Sequence, residues 1–451
     1  MSSNNDISKK IEEVNTRIDR LPTWALSPLV LIIVGFSYFF AFYDIAAFGY
    51  SLSVLIKALN ITTAQTAIPA SLFLIGYVLG APIVGTVADL KGRRMGLLLT
   101  VAILAIGALL TAISWNLISF TIFRFITGLG VGAEIAIAAT IISEFSPPNV
   151  RGRYLQLNYF WGAIGLGVSP FLVLFLLSTP LSWRLVFGFS ALVAIVMLFL
   201  RSRFLPESPR WLAVKGKIKE ALDVVQIMED RIRRTGKSFI ERKSESEFTS
   251  EKVPISELFK KPYRFVAILI LLFWIIWYVT VYAWLGYEPY MITQLGIALP
   301  SGLFFVALSY LGFPLAALIA FLTVELWQRK YLIMIGALLL GIGSLILSFS
   351  KTPIEAFIGS FIGTFAIAYN SVAYVYTAEV FPTRMRATGT SFSDGIGHIG
   401  GAIGPFVVVA SLSAFSVRPT FIVLAIIVLI SGMIILLGPK TTRKPLTSIS
   451  K

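Results

Sequence analysis

Residues 28–55 read PLVLIIVGFSYFFAFYDIAAFGYSLSVL and contain one charged residue, Asp44. About 20 apolar residues are enough for a helix to cross the ~30 Å hydrocarbon core of a bilayer, so this stretch is long enough to span one. Similar blocks recur along the 451-residue chain, which is 57% hydrophobic and only 14% charged. Soluble domains carry about a quarter charged residues. The composition therefore predicts an all-α integral membrane protein and not a soluble enzyme.

Twelve spans of this kind are predicted, in two sets of six. They cover residues 28–55, 67–88, 95–115, 118–142, 155–180, 183–202, 265–294, 302–324, 331–349, 354–378, 387–412 and 417–438. The polar segment 203–263 separates the two sets, and we expect short surface helices in it. The expected domains are an N-terminal tail (1–27), a six-helix bundle (28–202), the linker (203–263), a second bundle (264–438) and a C-terminal tail (439–451).

The basic residues predict the orientation of the chain. Of the 38 lysines and arginines, 33 lie in the tails and in the loops that follow even-numbered spans. The positive-inside rule then places both termini in the cytoplasm, in a multi-pass protein of the cell membrane. The net charge of +15 is thus a topology signal, and no nucleic-acid partner is expected. No short apolar core with a cleavage site precedes the first span, so a removable signal peptide is not predicted.

Several kinds of chemistry are excluded by residue counts. The chain has no cysteine and a single histidine, His398, which excludes disulfides, thiol catalysis and a multi-histidine metal centre. The sequence shows neither a nucleophile–base cluster nor a Gly-x-x-x-x-Gly-Lys-Ser/Thr loop for nucleotide phosphates. We therefore expect no enzyme activity, metal or cofactor. The expected partners are a small-molecule substrate, protons and the lipid bilayer, with the protein acting as a monomer.

The two halves of the sequence echo each other. EFSPPNVRG begins at Glu144 and EVFPTRMRA begins at Glu379, an offset of 379 − 144 = 235 residues. GTVADLKGRR, with Asp89, has a weaker counterpart in TVELWQRK, with Glu325, at an offset of 325 − 89 = 236. Two pairs at nearly one offset indicate a duplicated six-helix unit. Parallel repeats of this kind build transporters that bind substrate near the membrane midplane.

These motifs resemble those of a known superfamily. GTVADLKGRR (85–94) resembles the loop 2–3 signature of the major facilitator superfamily, and PESPRWL (206–212) resembles the signature of its sugar porters and related organic-acid and organic-ion carriers. RFITGLGVGAE (124–134), EFSPPNVRGR (144–153) and YTAEVFPTRMRATGTS (376–391) complete the pattern. The resemblance covers nearly the whole chain. It implies two pseudo-symmetric six-helix bundles that work by alternating access.

The charges of these motifs are candidates for a conformational latch, a set of ion pairs present in one state and absent in another. Asp89 can cap span 3 or pair with a basic residue, while Glu144 with Arg151, and Glu379 with Arg384 or Arg386, would pair between loops. The alternative is that these charges only anchor loops and fix topology. Glu207 and Arg210 are expected to brace the two halves in the outward-open state. The full candidate set is Gly85, Asp89, Gly92, Arg93, Arg94, Glu144, Arg151, Glu207, Arg210, Glu325, Arg329, Glu379, Arg384 and Arg386.

Asp44 in span 1 and Arg124 in span 4 are candidates for proton coupling, since ionisable residues inside spans are functional candidates by default. In proton-coupled sugar porters an aspartate of span 1 and an arginine of span 4 resemble these two in position. The resemblance implies that ionised Asp44 binds Arg124, and that protonation releases Arg124 and favours substrate loading. The physical argument agrees: burial favours the protonated acid and an adjacent arginine favours the ionised one. The alternative is a permanent structural salt bridge.

Three further groups are candidates for proton transfer. Glu134, within Gly-x-Gly-x-x-Glu, resembles the organic-acid and organic-ion branches more than the glucose branch. Asp394 and His398 lie four residues apart, on one helical face, and could form a second relay. A buried histidine satisfied by its neighbouring carboxylate is the other interpretation. Arg124 is the one basic residue that we place inside a span.

An aromatic stretch in span 7, FWIIWYVTVYAWLGYEPY (273–290), is the main evidence on substrate. Aromatic faces suit aromatic, heterocyclic or cationic ligands, although interfacial packing explains some of them. The glutamine pair and asparagine that sugar porters usually carry here are missing. The candidate pocket residues are Tyr43, Asn158, Tyr159, Trp161, Trp274, Trp277, Tyr278, Tyr282, Asn370 and Tyr374.

The sequence thus predicts a secondary active transporter, with proton-coupled symport of a small organic metabolite. An organic or aromatic acid is favoured, and a sugar is the second choice. A non-transporting sensor on the same scaffold is a third possibility. A sensor would be expected to carry a signalling domain or tail, and both tails are short.

Overall fold

The computed structural model describes residues 2–241, 254–297, 303–381 and 385–442. Within these ranges it holds 12 helices long and apolar enough to cross a membrane, and no β-strand occurs among the residues described. The predicted all-α fold with twelve spans is confirmed. Most predicted boundaries lie within a few residues of the observed ones.

Among the described residues, nine α-helices belong to the first half of the chain and eight to the second. Those of the first half are α1 (Ser2–Asp19), α2 (Pro28–Ala58), α3 (Ala67–Lys91), α4 (Arg93–Ala112), α5 (Leu117–Phe145), α6 (Arg151–Leu177), α7 (Trp183–Phe204), α8 (Pro209–Val214) and α9 (Ile218–Arg234). Spans 1–6 are α2 to α7. Helices α8 and α9 lie in the linker, where short helices are expected.

The second half forms eight α-helices within the described ranges. They are α10 (Arg264–Thr293), α11 (Phe304–Ser309), α12 (Gly312–Thr323), α13 (Arg329–Phe349), α14 (Pro353–Tyr369), α15 (Val372–Val380), α16 (Arg386–Phe415) and α17 (Val417–Leu436). Span 8 is divided into α11 and α12, and span 10 into α14 and α15. Spans 7, 9, 11 and 12 are single helices.

Local sequence signals account for the main helix ends. Asn116 and Ser119 form a capping box at the start of α5, and Thr352 and Glu355 form another at the start of α14. Such boxes satisfy backbone N–H groups that have no partner inside the helix. Gly92 alone separates α3 from α4 and has φ +116°, a conformation that residues with a Cβ rarely adopt.

The two bundles pair their helices in the same way. In each, the first span packs on the fifth, the second on the fourth and the third on the sixth. Glycines allow these contacts: a Cβ on Gly76 or Gly128 would overlap a backbone carbonyl of the facing helix in the α3–α5 pair. Small residues at such crossings let helix backbones approach closely in membranes. The two bundles therefore share one pattern of helix contacts, in agreement with the repeat in the sequence.

We call the side that carries the chain ends and most basic loops the basic side. The bundles meet near the other side, through α2 with α10 and α3 with α16. Thr66 and Tyr287 hydroxyls lie 3.1 Å apart, and Ser71 donates a hydrogen bond to the Ala402 carbonyl at 2.6 Å. A Cβ on Gly49 would overlap the Leu285 carbonyl oxygen. The bundles are therefore closed against each other on the side opposite the basic one.

Residues 1–27, expected only as a polar tail, contain a docked helix. Val14 and Ile18 of α1 are fully buried in a cluster with residues of α8 and α9. Arg17 binds both carboxylate oxygens of Glu229 at 2.8 Å, and this hydrogen bonding raises the pKa of Arg17. Arg210 of α8 binds Asp19 at 2.6 Å. Helices α1, α8 and α9 thus form one cap on the basic side of the first bundle.

Candidate functional site

Asp44 of α2 and Arg124 of α5 form a buried ion pair near the centre of the first bundle. Arg124 Nη1 donates a hydrogen bond to Asp44 Oδ2 at 2.5 Å, and the two residues are 0% and 1% exposed. The guanidinium also lies 4.1 Å from the centre of the Phe73 ring. Among the described residues, Asp44 Oδ1 and Arg124 Nε have no hydrogen-bond partner. The structure thus brings together the two residues that the sequence pairs, through a single hydrogen bond.

A small cavity connects this pair with the second bundle. Its volume is about 30 Å³, and Phe48 and Arg124 line it on one side while Tyr282 and Pro405 line it on the other. A volume of this size holds about one or two water molecules. Arg124 therefore faces the interface between the bundles as well as Asp44.

A polar aromatic cluster occupies the second bundle at the interface. Tyr278 of α10 donates a hydrogen bond to Asp394 Oδ1 at 2.6 Å, and its hydroxyl lies 2.7 Å from that of Tyr374. The rings of Tyr278 and His398 are 4.0 Å apart. The Asp394 side chain is 29% exposed, which leaves a carboxylate accessible beside aromatic faces.

The cluster extends across the interface through α3. Tyr77 stacks on His398 with ring centres 4.5 Å apart and planes at 21°, and Tyr282 lies 5.7 Å from the same ring. His398 Nδ1 is 2.7 Å from the Asp394 backbone carbonyl and 3.9 Å from its carboxylate. This geometry fits an Nδ1 proton held by the helix backbone, while the flat faces of the ring are covered by tyrosines.

Four predicted pocket residues make packing contacts. Tyr43 donates a hydrogen bond to the Val186 carbonyl of α7 at 3.1 Å and is fully buried. Trp277 is 3% exposed and stacks on Phe273. Trp161 lies against the backbone at Gly35, and Trp274 Nε1 donates to Thr377 Oγ1 at 3.0 Å. The contacts of Tyr43, Trp161 and Trp274 join neighbouring helices, and Trp277 packs within α10. The aromatic run of span 7 is therefore divided between packing residues and members of the cluster.

Two buried amides carry polar atoms without partners. Asn158 Oδ1 in α6 and both amide atoms of Asn370 form no hydrogen bond with described residues. Asn370 lies in the break between α14 and α15, and Tyr159, next to Asn158, is half-buried. Buried polar groups without partners usually bind water or a ligand. Both amides therefore stay candidates for substrate contact.

Glu134, predicted as a proton-transfer candidate, is held by Arg201 of α7. Arg201 Nη1 donates to Glu134 Oε2 at 2.8 Å, Arg201 Nη2 binds Oε1, and Thr100 Oγ1 donates to Oε2 at 2.6 Å. Both members of the pair are 0% exposed. Arg124 is therefore not the sole basic residue buried within a span. A bidentate pair with a third donor favours a fixed structural role for Glu134.

The latch residues of the first half form a compact group on the basic side. Arg93 Nε donates to Glu144 Oε1 at 2.8 Å, and Arg93 also pairs with Asp89. The Glu207 carboxylate accepts the backbone N–H groups of Arg93 at 2.8 Å and Arg94 at 3.1 Å. A carboxylate at a helix N-terminus is stabilised by those free N–H groups. Glu207 thus caps α4 directly behind Gly92.

Other predicted contacts of this group differ from the observed ones. Glu144 binds Arg93, a partner that the sequence does not predict for it, and Arg151 begins α6. Arg210 donates to the Glu144 carbonyl at 3.1 Å and binds Asp19, so in this state its contacts lie within the first bundle and its cap. Gly85, a member of the candidate latch set, has open space where a Cβ would be, so it mediates no close packing in this state.

The second half repeats the arrangement. Arg329 Nη2 binds Glu379 at 3.0 Å and Glu325 at 2.8 Å, as Arg93 binds Glu144 and Asp89. Arg386 Nε donates to the Ala378 carbonyl at 2.8 Å. Arg384 lies outside the described residues. The two pairs correspond through the sequence repeat.

Glu288 of α10 is a buried carboxylate that the sequence-based candidates do not include. It is fully buried and accepts a hydrogen bond from Ser360. Its position inside a predicted span was the signal that could have found it.

Comparisons with known proteins agree with these features. The family described as "Sugar (and other) transporter" matches residues 28–451. The niacin transporter NiaP of Acinetobacter baylyi is 28% identical over 96% of this chain and 99% of its own. The arabinose-proton symporter of Bacillus subtilis is 26% identical over 97% of each. The inward-open xylose transporter XylE of E. coli has the same fold, with a TM-score of 0.73 at 19% identity over 93% of this chain and 98% of that one.

Proposed function

Because the chain belongs to the sugar (and other) transporter family, we propose that it carries a small organic metabolite by alternating access, in symport with protons. The similar proteins include a niacin transporter and an arabinose-proton symporter, so relatives alone do not select a substrate. We favour an organic or aromatic acid. The observation that carries this choice is the place of Arg124, which binds Asp44 and lines the cavity closed by Tyr282.

The proposed coupling exchanges one partner of Arg124 for another. While Asp44 is ionised, it neutralises the guanidinium. When Asp44 takes up a proton, the buried cation loses its counter-ion and becomes a binding site for a substrate carboxylate, which guanidinium binds in a bidentate manner. The buried charges sum to zero in both states, because either ionised Asp44 or the substrate carboxylate balances the charge of Arg124. The bundles can therefore move in both the empty and the loaded state without burying a net charge, which is costly.

The aromatic cluster supplies the second half of the proposed site. The Tyr282 ring lines the cavity, beside the stacked rings of Tyr77 and His398, and an aromatic face of this kind suits a planar ring. Asp394, together with the Tyr278 and Tyr374 hydroxyls, can bind a polar substituent on that ring. An acid held at Arg124 with its ring toward these groups would bridge the two bundles, as alternating access requires.

A sugar remains the second candidate because of Asp394. A partly exposed carboxylate and the unpaired amides of Asn158 and Asn370 are acceptors and donors suited to hydroxyl groups. In that case Asp44 and Arg124 would still couple protons, without a direct contact between Arg124 and the substrate.

The proposed orientation places the basic side in the cytoplasm, with both termini there. The contacts between bundles at the opposite side then close the extracellular path. The pairs of Arg93 with Glu144 and of Arg329 with Glu379 are proposed as latch elements that reorganise when the basic side closes.

Uptake into proteoliposomes tests this function. An inward proton gradient should drive accumulation of an aromatic acid such as nicotinate above its external concentration, and dissipating the gradient should abolish accumulation but leave counterflow exchange. Accumulation of a pentose with no accumulation of aromatic acids would favour the sugar. Binding without transport of either would favour the sensor.

A further inference from the structure

Glu288 lies where the bundles close on the side opposite the basic one. Its neighbour one helical turn earlier, Leu285, is the residue whose carbonyl contacts Gly49 of α2. Tyr50, next to Gly49, packs on Tyr310 of the second bundle, with ring centres 5.3 Å apart. Tyr50, Tyr310 and Glu288 are all at most 1% exposed. The seam between α2 and α10 therefore covers the carboxyl group of Glu288.

Within the part of the chain that the structure describes, the surroundings of Glu288 contain hydroxyl groups and no cation. Ser360 of α14 donates to Oε1, and the Ser360 hydroxyl lies 2.5 Å from that of Ser309 in α11. Two titratable side chains interact electrostatically with Glu288. They are Tyr50 of α2 and Tyr310, which lies between α11 and α12. Among the described residues, no lysine, arginine or histidine faces it. Unlike Asp44 and Glu134, Glu288 has no counter-ion.

A buried carboxylate without a counter-ion is strongly disfavoured, and such a group remains neutral by holding a proton. The hydrogen-bond partners of Glu288 are consistent with the protonated carboxylic acid. Its Oε2 and the hydroxyl oxygens of Tyr50 and Tyr310 have no hydrogen-bond partner among described residues. Ser360 donates to Oε1, while Oε2 receives no donor that would stabilise the ionised form, so the proton is best held on Oε2.

We propose that Glu288 is a second proton-binding site, filled from the side opposite the basic one as the seam between α2 and α10 closes. This rests on the alternating access of the proposed function, since that seam must open to admit substrate. Opening removes Tyr50 from Glu288 and admits water, which stabilises the ionised carboxylate. Closing removes the water, so the carboxylate binds a proton from that side.

This site differs from Asp44 in its consequence for transport. Glu288 lies five residues before the end of α10, near the seam, so its proton returns to the side from which it came. Glu288 therefore adds nothing to the net coupling. Its protonation favours the closed seam when the medium on that side is acidic. The ratio of closed to open molecules can rise by at most about tenfold for each pH unit of acidification, the limit for binding one proton.

Accessibility of a single cysteine tests the proposal directly. The chain has no native cysteine, and Thr66, buried against Tyr287 at the seam, becomes reachable when the seam opens. We would label Thr66→Cys with a membrane-impermeant maleimide at several external pH values, in an Asp44→Asn background that removes the other site. Thr62→Cys, at an exposed position in the same loop, corrects for the pH dependence of the thiol itself.

The corrected labelling of Thr66→Cys should fall with acidification, and Glu288→Gln should make it low and independent of pH. The protonated acid should also give an infrared carboxylic C=O band that Glu288→Gln removes and Ser360→Ala shifts. Labelling that is absent at every pH, an unchanged pH profile in Glu288→Gln, or the same infrared band in that variant would overturn the proposal. Proton-driven accumulation should persist in Glu288→Gln with Asp44 intact, which separates this test from that of the proposed function.

Discussion

Arg124 donates one hydrogen bond to Asp44, from Nη1. Among the described residues, Asp44 Oδ1 and Arg124 Nε have no hydrogen-bond partner. By contrast, Arg201 binds both carboxylate oxygens of Glu134 and is joined there by Thr100. Two buried pairs in one bundle thus differ in how completely they are satisfied. The less satisfied pair faces a cavity, and it is the one that we expect to rearrange during transport.

Asp44→Asn should abolish accumulation driven by a pH gradient and leave substrate binding or counterflow measurable, because the amide mimics the protonated acid. Arg124→Ala should be more harmful, since it leaves a buried carboxylate without a counter-ion and removes the proposed substrate contact. Uptake with and without an imposed gradient, in one set of proteoliposomes, checks both. Accumulation by Asp44→Asn against its gradient would move the coupling role to another carboxylate, with Asp394 next.

Tyr282→Ala should weaken substrate binding by about 1 kcal/mol or more, roughly fivefold in Kd, if its ring stacks on the ligand. The matched control is Tyr43→Phe, which removes the hydrogen bond to the Val186 carbonyl within the first bundle. That control should cost about 1 kcal/mol of stability and leave affinity unchanged. Equal affinities for Tyr282→Ala and the wild type, measured by calorimetry, would assign Tyr282 to packing.

Asp89→Asn should slow transport without changing substrate affinity, because it weakens the hold of Arg93 and shifts the balance between states. The carboxylate is 63% exposed, so its contribution to stability should be small. Glu325→Gln is the corresponding change in the second half, at a side chain 65% exposed, and should act in the same direction. If both variants turn over substrate at the wild-type rate, these carboxylates serve only to fix topology or to cap helices.

Glu134→Gln should lower the stability of the protein by about 3–5 kcal/mol, since it leaves Arg201 buried without a counter-ion. Replacing both partners, as Glu134→Gln with Arg201→Met, should recover part of that loss. Thermal unfolding in detergent measures both effects. A stable Glu134→Gln variant that has lost proton coupling would instead return Glu134 to the proton pathway.

Much of the fold follows from the sequence because membrane helices obey strict rules. Each span must satisfy its own backbone hydrogen bonds and needs a minimum apolar length, so the spans are visible as blocks. The motif that begins at Glu144 recurs at Glu379, and this repeat indicates two bundles. Helix α1 was missed because it is short and amphipathic, and its apolar residues Val14 and Ile18 become significant only once α9 is in place.

The candidate site was predictable in part. Asp44 and Arg124 stand alone as charges in long apolar stretches, so their pairing was a natural inference. Arg201 lies three residues before the end of α7, where a long side chain can extend toward the interface or turn into the bundle, and the sequence does not say which. Trp277 and Tyr282 look alike in the aromatic run, since which face of α10 meets the other bundle depends on tertiary packing.

The two chain ends are anchored to different bundles. Residues after α1 are tied to α6 through Thr23 and Tyr154, whose hydroxyls lie 2.8 Å apart. Near the other end, Tyr376 donates to the Pro439 carbonyl at 2.9 Å. A pair of fluorophores at the exposed positions 13 and 440 would therefore travel with opposite halves of the molecule. Energy transfer between them would report the rocking of the bundles in single molecules, without a label inside the transport path.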